Sequence, residues 1–598
     1  MTAQPDVVIL VTDQERASPP YEPAELAAWR RNNLVGARWF EDNGVSFRRH
    51  YTGSLACVPS RPTLFTGHYP DLHGVTQTNG LGKMHDDSRM RWLRPGEVPT
   101  LGHWFRAGGY DTHYVGKWHM SHADITDPAT GEALATHDDG GVLDEAAVRA
   151  YLDADPLDVF GFSGWVGPEP HGASPSLSGL ICDPIYADRA VTWLEDRYER
   201  RRTGDPAALD PFLLVVCFVN PHDIVYAPAW LGRIGPDNPF SARDDFSPPD
   251  VPPSPTDDED LASKPAAQIA YRASYPSTYG PPLVIERSYR DHAQEYRNLY
   301  HRLHLESDGP LDRVRRAVTD GGSDEAVVVR TSDHGELLGA HGGLHQKWFN
   351  LYDEATRVPF VIVRTGSMAT TYRVVDDAPT SHVDLVPTLL SAAGIDEGST
   401  AERMRTSFSE LHPLPGRDLT PVVDGGVADT HRSVYAITRD NMPEGDSGAS
   451  GLARRLGRIE KPPPPLRIQV PAHVAANFES LVSRVDDADA AVGAGHLWKI
   501  VRTFDDPATW TEPGVRQLAG SGATGDLYRS EPLPEQWELY DLDVDPIEAR
   551  NRWSDPEAAA LFGLLTDRLA AERVRAVPER NHPWPYATRT PSGGPPMK

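Results

Sequence analysis

A chain of 598 residues is too long for a single hydrophobic core, so we expect more than one domain. Its formal net charge of −28 excludes a nucleic-acid partner, because polyphosphate binding requires a basic surface. Only Cys57, Cys182 and Cys217 occur, which excludes a disulfide framework and indicates a reducing compartment. No apolar run approaches the roughly 20 residues of a membrane helix, and the first residues do not resemble a signal sequence. We therefore expect a cytoplasmic protein without a membrane partner.

Short apolar runs alternate with helical patterns in the N-terminal part of the chain. Continuous apolar runs are typical of buried strands, and their alternation with helices indicates a mainly parallel sheet covered on both faces. We predict an α/β fold with a large, mainly parallel mixed sheet sandwiched by helices. The predicted strands are residues 7–11, 112–115, 212–219, 326–329 and 360–363, and the helical patterns include 24–43 and 292–305.

Polar side chains follow four of these predicted strands directly. In open α/β sheets, ligands gather at the carboxyl ends of the strands. Four strand ends that carry Asp, Gln, Lys and His therefore predict one shared polar site. The side chains are Asp13 and Gln14 after the first strand, Lys117 and His119 after the second, His222 after the third, and Asp333 and His334 after the fourth.

The rest of the chain has a weaker pattern. Residues 224–290 are rich in proline and acidic side chains, and we expect long loops there. Beyond about residue 400, predicted strands at 497–502 and 537–542 precede a helix. We predict a catalytic domain at 1–425, a smaller C-terminal α+β subdomain at 426–585 and a flexible tail at 586–598.

The strongest local signal is Cys-Val-Pro-Ser-Arg at residues 57–61, followed after four residues by Thr-Gly at 66–67. This string resembles the signature of the type I, formylglycine-dependent sulfatases, which have an alkaline-phosphatase-like fold. The resemblance continues in chain order through five further stretches. These are Gly-Lys-Trp-His at 116–119, Asn-Pro-His at 220–222, Ser-Asp-His-Gly-Glu at 332–336 with His-Gln-Lys at 345–347, residues 381–388, and residues 538–542.

The resemblance implies a nucleophile made from Cys57. In this family, a formylglycine-generating enzyme oxidises the cysteine to an aldehyde, which is hydrated to a gem-diol. One hydroxyl attacks sulfur, and the second lets the diol expel sulfate by collapsing back to the aldehyde. The implied reaction is therefore the hydrolysis of a small-molecule sulfate ester to an alcohol or phenol and inorganic sulfate.

The same resemblance gives roles to five further side chains. Arg61 and Lys117 would hold the formylglycine and neutralise sulfate. His119 would be the base that deprotonates the second hydroxyl. His222 and Lys347 would contact the sulfate and the leaving oxygen, and which of them is the general acid stays open.

A divalent cation is implied as well, with Asp13, Gln14, Asp333, His334 and the modified Cys57 as its ligands. Carboxylate and amide oxygens suit Ca²⁺ or Mg²⁺, whereas an imidazole suits Mn²⁺. The commonest family pattern has Asp-Asp and Asp-Asn at these two pairs. The set found here resembles instead the branch of choline sulfatases and phosphonate monoester hydrolases. Ca²⁺ is our first choice, with Mn²⁺ close behind.

Two other functions remain open at this point. The first is a phosphonate monoester or phosphodiester hydrolase of the same superfamily, which the metal set favours and the Lys117 and His119 pair opposes. The second is an inactive binding scaffold, which an unmodified Cys57 would favour. Asn79 is either a substrate contact or only a turn residue before Gly80. The sequence defines neither the ester nor the oligomeric state.

Overall fold

The computed structural model describes most of the chain. The predicted tail at 586–598 lies outside the described residues and stays a prediction. Among the described helices, none combines the length and the apolar character that crossing a membrane requires. The described residues are 4–76, 78–79, 90–170, 175–231, 248–279, 282–322, 325–439, 474–486, 492–510, 512–522 and 525–583.

A seven-stranded mixed sheet forms the centre of the N-terminal part. In sheet order, its strands are β4 (Asp111–Gly116), β5 (Phe212–Pro221), β1 (Asp6–Asp13), β6 (Ala326–Ser332), β7 (Phe360–Arg364), β2 (Val45–Phe47) and β8 (Arg373–Val375). The four strands from β4 to β6 are parallel neighbours, and β7 pairs antiparallel with both β6 and β2. The predicted mainly parallel mixed sheet is confirmed.

The central strand β1 is buried on both faces. Val7, Ile9 and Val11 pack into one apolar core, and Val8 and Leu10 pack into the other, because successive side chains of a strand point to opposite faces. The described α-helices of the N-terminal part include those that cover these two cores. In chain order they are Ala24–Asn33, Val35–Asn43, Cys57–Thr66, Pro70–His73, Leu101–Ala107, Glu145–Ala154, Gly179–Arg202, Ala227–Leu231, Ala266–Tyr279, Pro282–Asp291, Ala293–Thr319, Ala340–Gly343, Asp353–Thr356, Leu385–Ala392, Glu397–Met404 and Thr420–Val423.

The helical pattern at 24–43 is two helices rather than one. Leu34 separates them with a non-helical φ of −87° and ψ of 82°. The carboxylate of Asp308, from a distant helix, accepts hydrogen bonds from the amides of Gly36 at 2.8 Å and Ala37 at 2.7 Å. This tertiary contact satisfies amide groups in the first turn of the second helix, which have no partner within the helix.

The expectation of long loops at 224–290 is wrong for its C-terminal part. Helices Ala266–Tyr279 and Pro282–Asp291 occupy that region. Tyr271 and Tyr275 are buried in a core that also contains Phe349. Burial of these rings stabilises a helix that the proline-rich composition disfavours.

A four-stranded antiparallel sheet follows in the C-terminal part. Its strands are β10 (Val434–Arg439), β11 (Asn477–Arg484), β12 (Leu497–Phe504) and β15 (Gln536–Asp541). Leu561, Leu565 and Leu569 of the helix Ala559–Ala576 pack on this sheet against Ile500 and Leu539. The predicted smaller α+β region is confirmed, while its boundary at residue 426 stays a prediction. The remaining strands form two pairs: β3 (His50–Tyr51) with β9 (Thr380–Ser381), and β13 (Gln517–Gly522) with β14 (Gly525–Arg529).

A buried lysine links the C-terminal sheet to the N-terminal part of the chain. Nζ of Lys499, on β12, lies 2.6 Å from Oδ1 of Asp353 in the N-terminal part and 2.9 Å from Oε1 of Glu548. Its Nζ also donates to the carbonyl of Leu351 at 3.0 Å. Burying one ammonium group between two carboxylates satisfies charges that would otherwise oppose the packing.

Candidate active site

Two parallel strands bring the first acidic residues together. Thr12 pairs with Ser332 in the register of β1 and β6, so Asp13 and Asp333 leave the sheet at the same edge. The backbone amide of Gln14 donates to Oδ1 of Asp333 at 3.1 Å. The carboxyl ends of the central strands therefore define the site, as in other open α/β sheets.

Cys57 reaches the same edge from the N-terminus of the helix Cys57–Thr66. Its Sγ lies 3.0 Å from Nε2 of His334 and 3.9 Å from Oδ1 of Asp13, and all three side chains are buried. The N-terminus of a helix favours negative charge, because its amide groups point outward. A nucleophile that carries negative charge is thus well placed at position 57.

Asp13, Cys57, Asp333 and His334 form a candidate metal centre. Each offers one donor atom, and these atoms all lie within 4.8 Å of one another. Nε2 of His334 lies 3.7 Å from both Oδ1 of Asp13 and Oδ1 of Asp333. Nδ1 of this ring lies 3.0 Å from the carbonyl of Gly335, which can only accept, so Nδ1 carries the proton and the lone pair of Nε2 faces the cluster. Two carboxylates and one imidazole suit a divalent cation.

Cationic side chains occupy the other oxygens of these carboxylates. Arg61 donates from Nη2 to Oδ2 of Asp13 and from Nε to Oδ2 of Asp333, both at 2.9 Å. Nζ of Lys117 lies 2.7 Å from Oδ2 of Asp13. The Oδ1 atoms of both carboxylates are thereby left directed toward His334.

These charges change the acidity of the two carboxyl groups. Burial alone would raise the pKa of Asp13. The charges of Lys117, His222 and Arg61 outweigh burial and hold that pKa well below its usual range. Burial, together with the negative charge of Asp13, raises the pKa of Asp333. Arg61 and Lys117 therefore bind the Oδ2 atoms of the two carboxyl groups. The Oδ1 atoms remain suited to binding a further cation.

The surroundings of Cys57 also favour a negative charge. Burial and the charge of Asp13 would raise the pKa of the thiol. The positive charges of Lys347 and Lys117 contribute to outweighing both and lower it. An oxygen nucleophile at this position would meet the same cations.

The turn after β4 carries Lys117 and His119, and Lys117 contacts Asp13 in the site. Gly116 has a φ of 91°, and a Cβ atom there would lie 2.1 Å from the carbonyl oxygen of Cys217. Only glycine permits this approach. The amide of Lys117 then donates to that carbonyl at 3.0 Å, which holds the turn against β5.

His119 has a defined partner on one ring nitrogen. Its Nε2 lies 2.7 Å from Oδ1 of Asn79. An amide oxygen only accepts, so Nε2 carries the proton and Nδ1 is the basic nitrogen of the neutral ring. Asn79 therefore orients the predicted base, a role that neither of the two sequence-based alternatives included.

Glu169 supports the same turn and was not among the predicted residues. Its Oε2 accepts hydrogen bonds from the amides of His119 at 2.9 Å and Trp118 at 3.3 Å. Burial and the charge of Asp124 raise the pKa of Glu169 to about 7. No motif surrounds this residue, so only the tertiary structure identifies it.

The remaining predicted residues complete the edge of the sheet. Nζ of Lys347 donates to Oε1 of Gln14 at 2.7 Å, and Nε2 of Gln14 donates to Oε2 of Glu336. Glu336 belongs to the Ser-Asp-His-Gly-Glu string, but sequence reasoning gave it no role. His222 begins the 3₁₀-helix that directly follows β5, where its charge acts on Asp13.

The fold and this arrangement are those of an α/β protein with a buried candidate metal centre at the carboxyl ends of its central strands. The sulfatase family model matches residues 5–395. The chain therefore belongs to the sulfatase family.

Individual relatives agree with this assignment. An uncharacterized sulfatase of Escherichia coli is 29% identical over 359 residues, which are 59% of this chain and 61% of that protein's length. A choline-sulfatase of Rhizobium meliloti is 24% identical over 455 residues, covering 71% of this chain and 72% of that protein. The phosphonate monoester hydrolase from Silicibacter pomeroyi superposes with a TM-score of 0.55 at 21% identity, over 96% of each chain. A structural likeness at this identity shows the fold alone.

Proposed function

We propose that this protein hydrolyses a sulfate ester to an alcohol or phenol and inorganic sulfate, with formylglycine made from Cys57 as the nucleophile. The observation that carries the proposal is the position of the Cys57 Sγ atom, which shares a cluster 4.8 Å across with donor atoms of Asp13, Asp333 and His334. The Sγ atom stands in for an oxygen of the hydrated aldehyde. Membership of the sulfatase family supports the class of reaction.

One divalent cation would bind at Oδ1 of Asp13, Oδ1 of Asp333, Nε2 of His334 and the amide oxygen of Gln14, together with position 57. When bound, it would stabilise negative charge on the nucleophile and on the sulfate oxygens. The oxygen donors support Ca²⁺ or Mg²⁺, and the imidazole supports Mn²⁺. Ca²⁺ remains the first choice on the number of oxygen donors.

The chain's own side chains would perform the proton transfers and bind the anion. Arg61 and Lys117 would compensate the charge that builds up beside Asp13 during attack. His119, with its proton on Nε2 held by Asn79, would accept a proton at Nδ1 from the second hydroxyl, and sulfate would then leave.

The leaving alcohol also requires a proton. Lys347 and His222 are the candidate donors of this proton. The hydrogen bond of 2.7 Å from Nζ of Lys347 to Oε1 of Gln14 supports Lys347 as a donor beside the candidate metal ligands.

A phosphonate monoester or phosphodiester is the second candidate substrate. The pairing of Asp13 and Gln14 with Asp333 and His334 favours it, because this set resembles that of phosphonate monoester hydrolases. Both substrates are tetrahedral oxyanions that the same cations would bind. The two candidates therefore share a nucleophile and differ in the central atom.

The test begins with the chemistry of residue 57. Protein co-expressed with a formylglycine-generating enzyme should contain a Cys57 peptide that is lighter than the thiol by about 18 Da, the change from thiol to aldehyde. Cys182 and Cys217 should remain thiols and serve as internal controls. The modified protein should release inorganic sulfate from aryl and alkyl sulfates, and Cys57→Ala should not.

The outcomes separate the three functions. Faster turnover of phosphonate monoesters than of any sulfate ester would replace the sulfatase proposal with the second candidate. A thiol that persists at position 57 despite a competent maturation enzyme would overturn the nucleophile and favour an inactive scaffold.

A further inference from the structure

Glu336 is a buried carboxylate whose two oxygens accept hydrogen bonds from four different groups. Oε1 accepts from the hydroxyl of Tyr296 at 3.0 Å, the amide of Leu338 at 2.9 Å and the amide of Gln346 at 2.7 Å. Oε2 accepts from Nε2 of Gln14. Tyr296 lies on the helix Ala293–Thr319, and Leu338 and Gln346 lie in the stretch that contains Glu336, so donors from two elements hold the carboxylate in one position.

Gln14 lies between this carboxylate and an ammonium group. Its Nε2 donates to Glu336, and its Oε1 accepts from Nζ of Lys347 at 2.7 Å. An amide has one donating and one accepting end, whereas an ammonium group only donates. If the amide were reversed, its NH₂ group would meet the ammonium group of Lys347, and both groups are donors. Its oxygen would meet the carboxylate of Glu336, and both groups are acceptors. Each mismatch would leave a buried donor or acceptor without a partner, so a single orientation is strongly preferred.

The orientation matters because of where Gln14 lies. Its backbone amide donates to Oδ1 of Asp333, an atom of the candidate metal centre. A carbonyl oxygen can bind a cation, whereas the NH₂ group has no lone pair for one. A reversed amide would therefore remove one donor from the site and leave Lys347 without its acceptor.

We propose that Glu336 is a positioning residue that acts through Gln14, holding the amide so that its carbonyl oxygen faces Lys347 and the metal centre. The inference rests on the proposed function for the divalent cation and for the amide oxygen of Gln14 as one of its ligands. It does not require that the substrate be a sulfate ester. Metal binding can therefore test it independently of turnover.

Glu336→Gln is the sharpest variant, because it keeps the shape of the side chain. The three donors on Oε1 fix the oxygen end of the introduced amide, so its NH₂ group must face the NH₂ group of Gln14. Gln14 should then reverse. We expect Mn²⁺ and Ca²⁺ to bind about 10-fold to 100-fold more weakly to metal-free protein, measured by calorimetric titration, as is typical when a group supporting a metal ligand is lost.

Tyr296→Phe is the matched control. It removes a donor from Oε1 of the same carboxylate and leaves the contact between Oε2 and Gln14 in place. Metal affinity near the wild-type value is expected for this variant. A loss equal to that of Glu336→Gln would show that Glu336 acts by holding its surroundings together, and it would overturn the inference.

Two further variants separate positioning from a structural role. In a Gln14→Ala background, Glu336→Gln should cause no additional loss of metal affinity, because the residue through which it acts is gone. The reciprocal exchange Gln14→Glu with Glu336→Gln should restore binding, since the introduced amide then donates to the introduced carboxylate, which still accepts from Lys347. The exchange also provides the test if Glu336→Gln alone does not fold.

Three results would overturn the inference. These are wild-type affinity in Glu336→Gln, a full additional loss in the Gln14→Ala background, and wild-type protein that binds neither cation. Wild-type protein that binds the cation but releases no sulfate from sulfate esters would instead count only against the proposed function.

Discussion

Arg61 and Asp13 form a fully buried ion pair, with Nη2 of the guanidinium 2.9 Å from Oδ2 of the carboxylate. The same guanidinium binds Asp333 through Nε at 2.9 Å. A planar group with several donors can hold two carboxylates in a defined relative orientation, which a lysine cannot do. Arg61 thereby sets the positions of the two Oδ1 atoms that face His334.

Arg61→Ala should leave two buried carboxylates without this partner. We expect the free energy of unfolding to fall by about 3–5 kcal/mol, measured by denaturant titration in the presence of a chelator. Arg31→Ala provides the control, because the pair of Arg31 and Asp42 is exposed and its loss should leave the free energy of unfolding almost unchanged. Equal effects of the two substitutions would contradict the role of Arg61.

His119→Ala should slow the release of sulfate more than the first attack. We expect one equivalent of alcohol to leave per modified enzyme, after which the protein retains the mass of one sulfo group. The steady-state kcat should fall by about 10²-fold to 10⁴-fold, as is typical for loss of a general base. Asn79→Ala should have a smaller effect in the same direction, because the ring keeps its basic nitrogen but loses its orientation. Full turnover by His119→Ala would exclude His119 as the base.

Divalent cations should stabilise the folded protein. A ligand at about 100 times its Kd adds about 2.7 kcal/mol to the free energy of unfolding if it binds only the folded state. Tm should therefore fall with chelator and rise with Ca²⁺ or Mn²⁺, as measured by calorimetry. Asp333→Asn should respond little to either ion, because it loses a charged donor of the cluster. A metal-dependent shift that persists unchanged in this variant would place the cation elsewhere.

Glu169 should make stability depend on pH. Its pKa in the folded protein is about 7, above the ordinary value of 4.5, because burial and Asp124 disfavour its charge. The folded protein then holds the proton more tightly than the unfolded chain. This contribution to stability is complete below pH 4.5 and is lost as the pH rises through about 7.

Glu169→Gln should remove this dependence, because the amide keeps an oxygen for the amides of Trp118 and His119 but does not ionise. Relative to the variant, the wild-type protein should lose stability between pH 4.5 and 7. Denaturant titration on either side of this window measures the difference. A constant difference between the two proteins across the window would contradict the elevated pKa.

Some features of the fold could be predicted from local patterns. The strands β1, β5, β6 and β7 contain the predicted apolar runs, because a strand buried on both faces must be apolar along its whole length. The candidate metal residues were predictable for a related reason. They follow the strands directly, so the parallel register alone brings Asp13 and Asp333 together.

Other features depended on contacts that no local pattern encodes. The helix that begins at Val35 is capped by Asp308, and the helix at Ala266–Tyr279 depends on burial beside Phe349. Propensity and composition describe a segment alone, and such tertiary contacts override them.

The sequence by itself determined the sulfatase motif, the mainly parallel sheet and the side chains that could carry the chemistry. Only the tertiary structure decided which groups orient those side chains. Asn79 contacts the ring of His119, Glu169 binds the backbone amide of His119, and Glu336 accepts from the side chain of Gln14. The physical reason is that a motif reports residue types at fixed spacing along the chain. A hydrogen bond between residues 322 positions apart, such as that of Gln14 and Glu336, depends on how the segments pack.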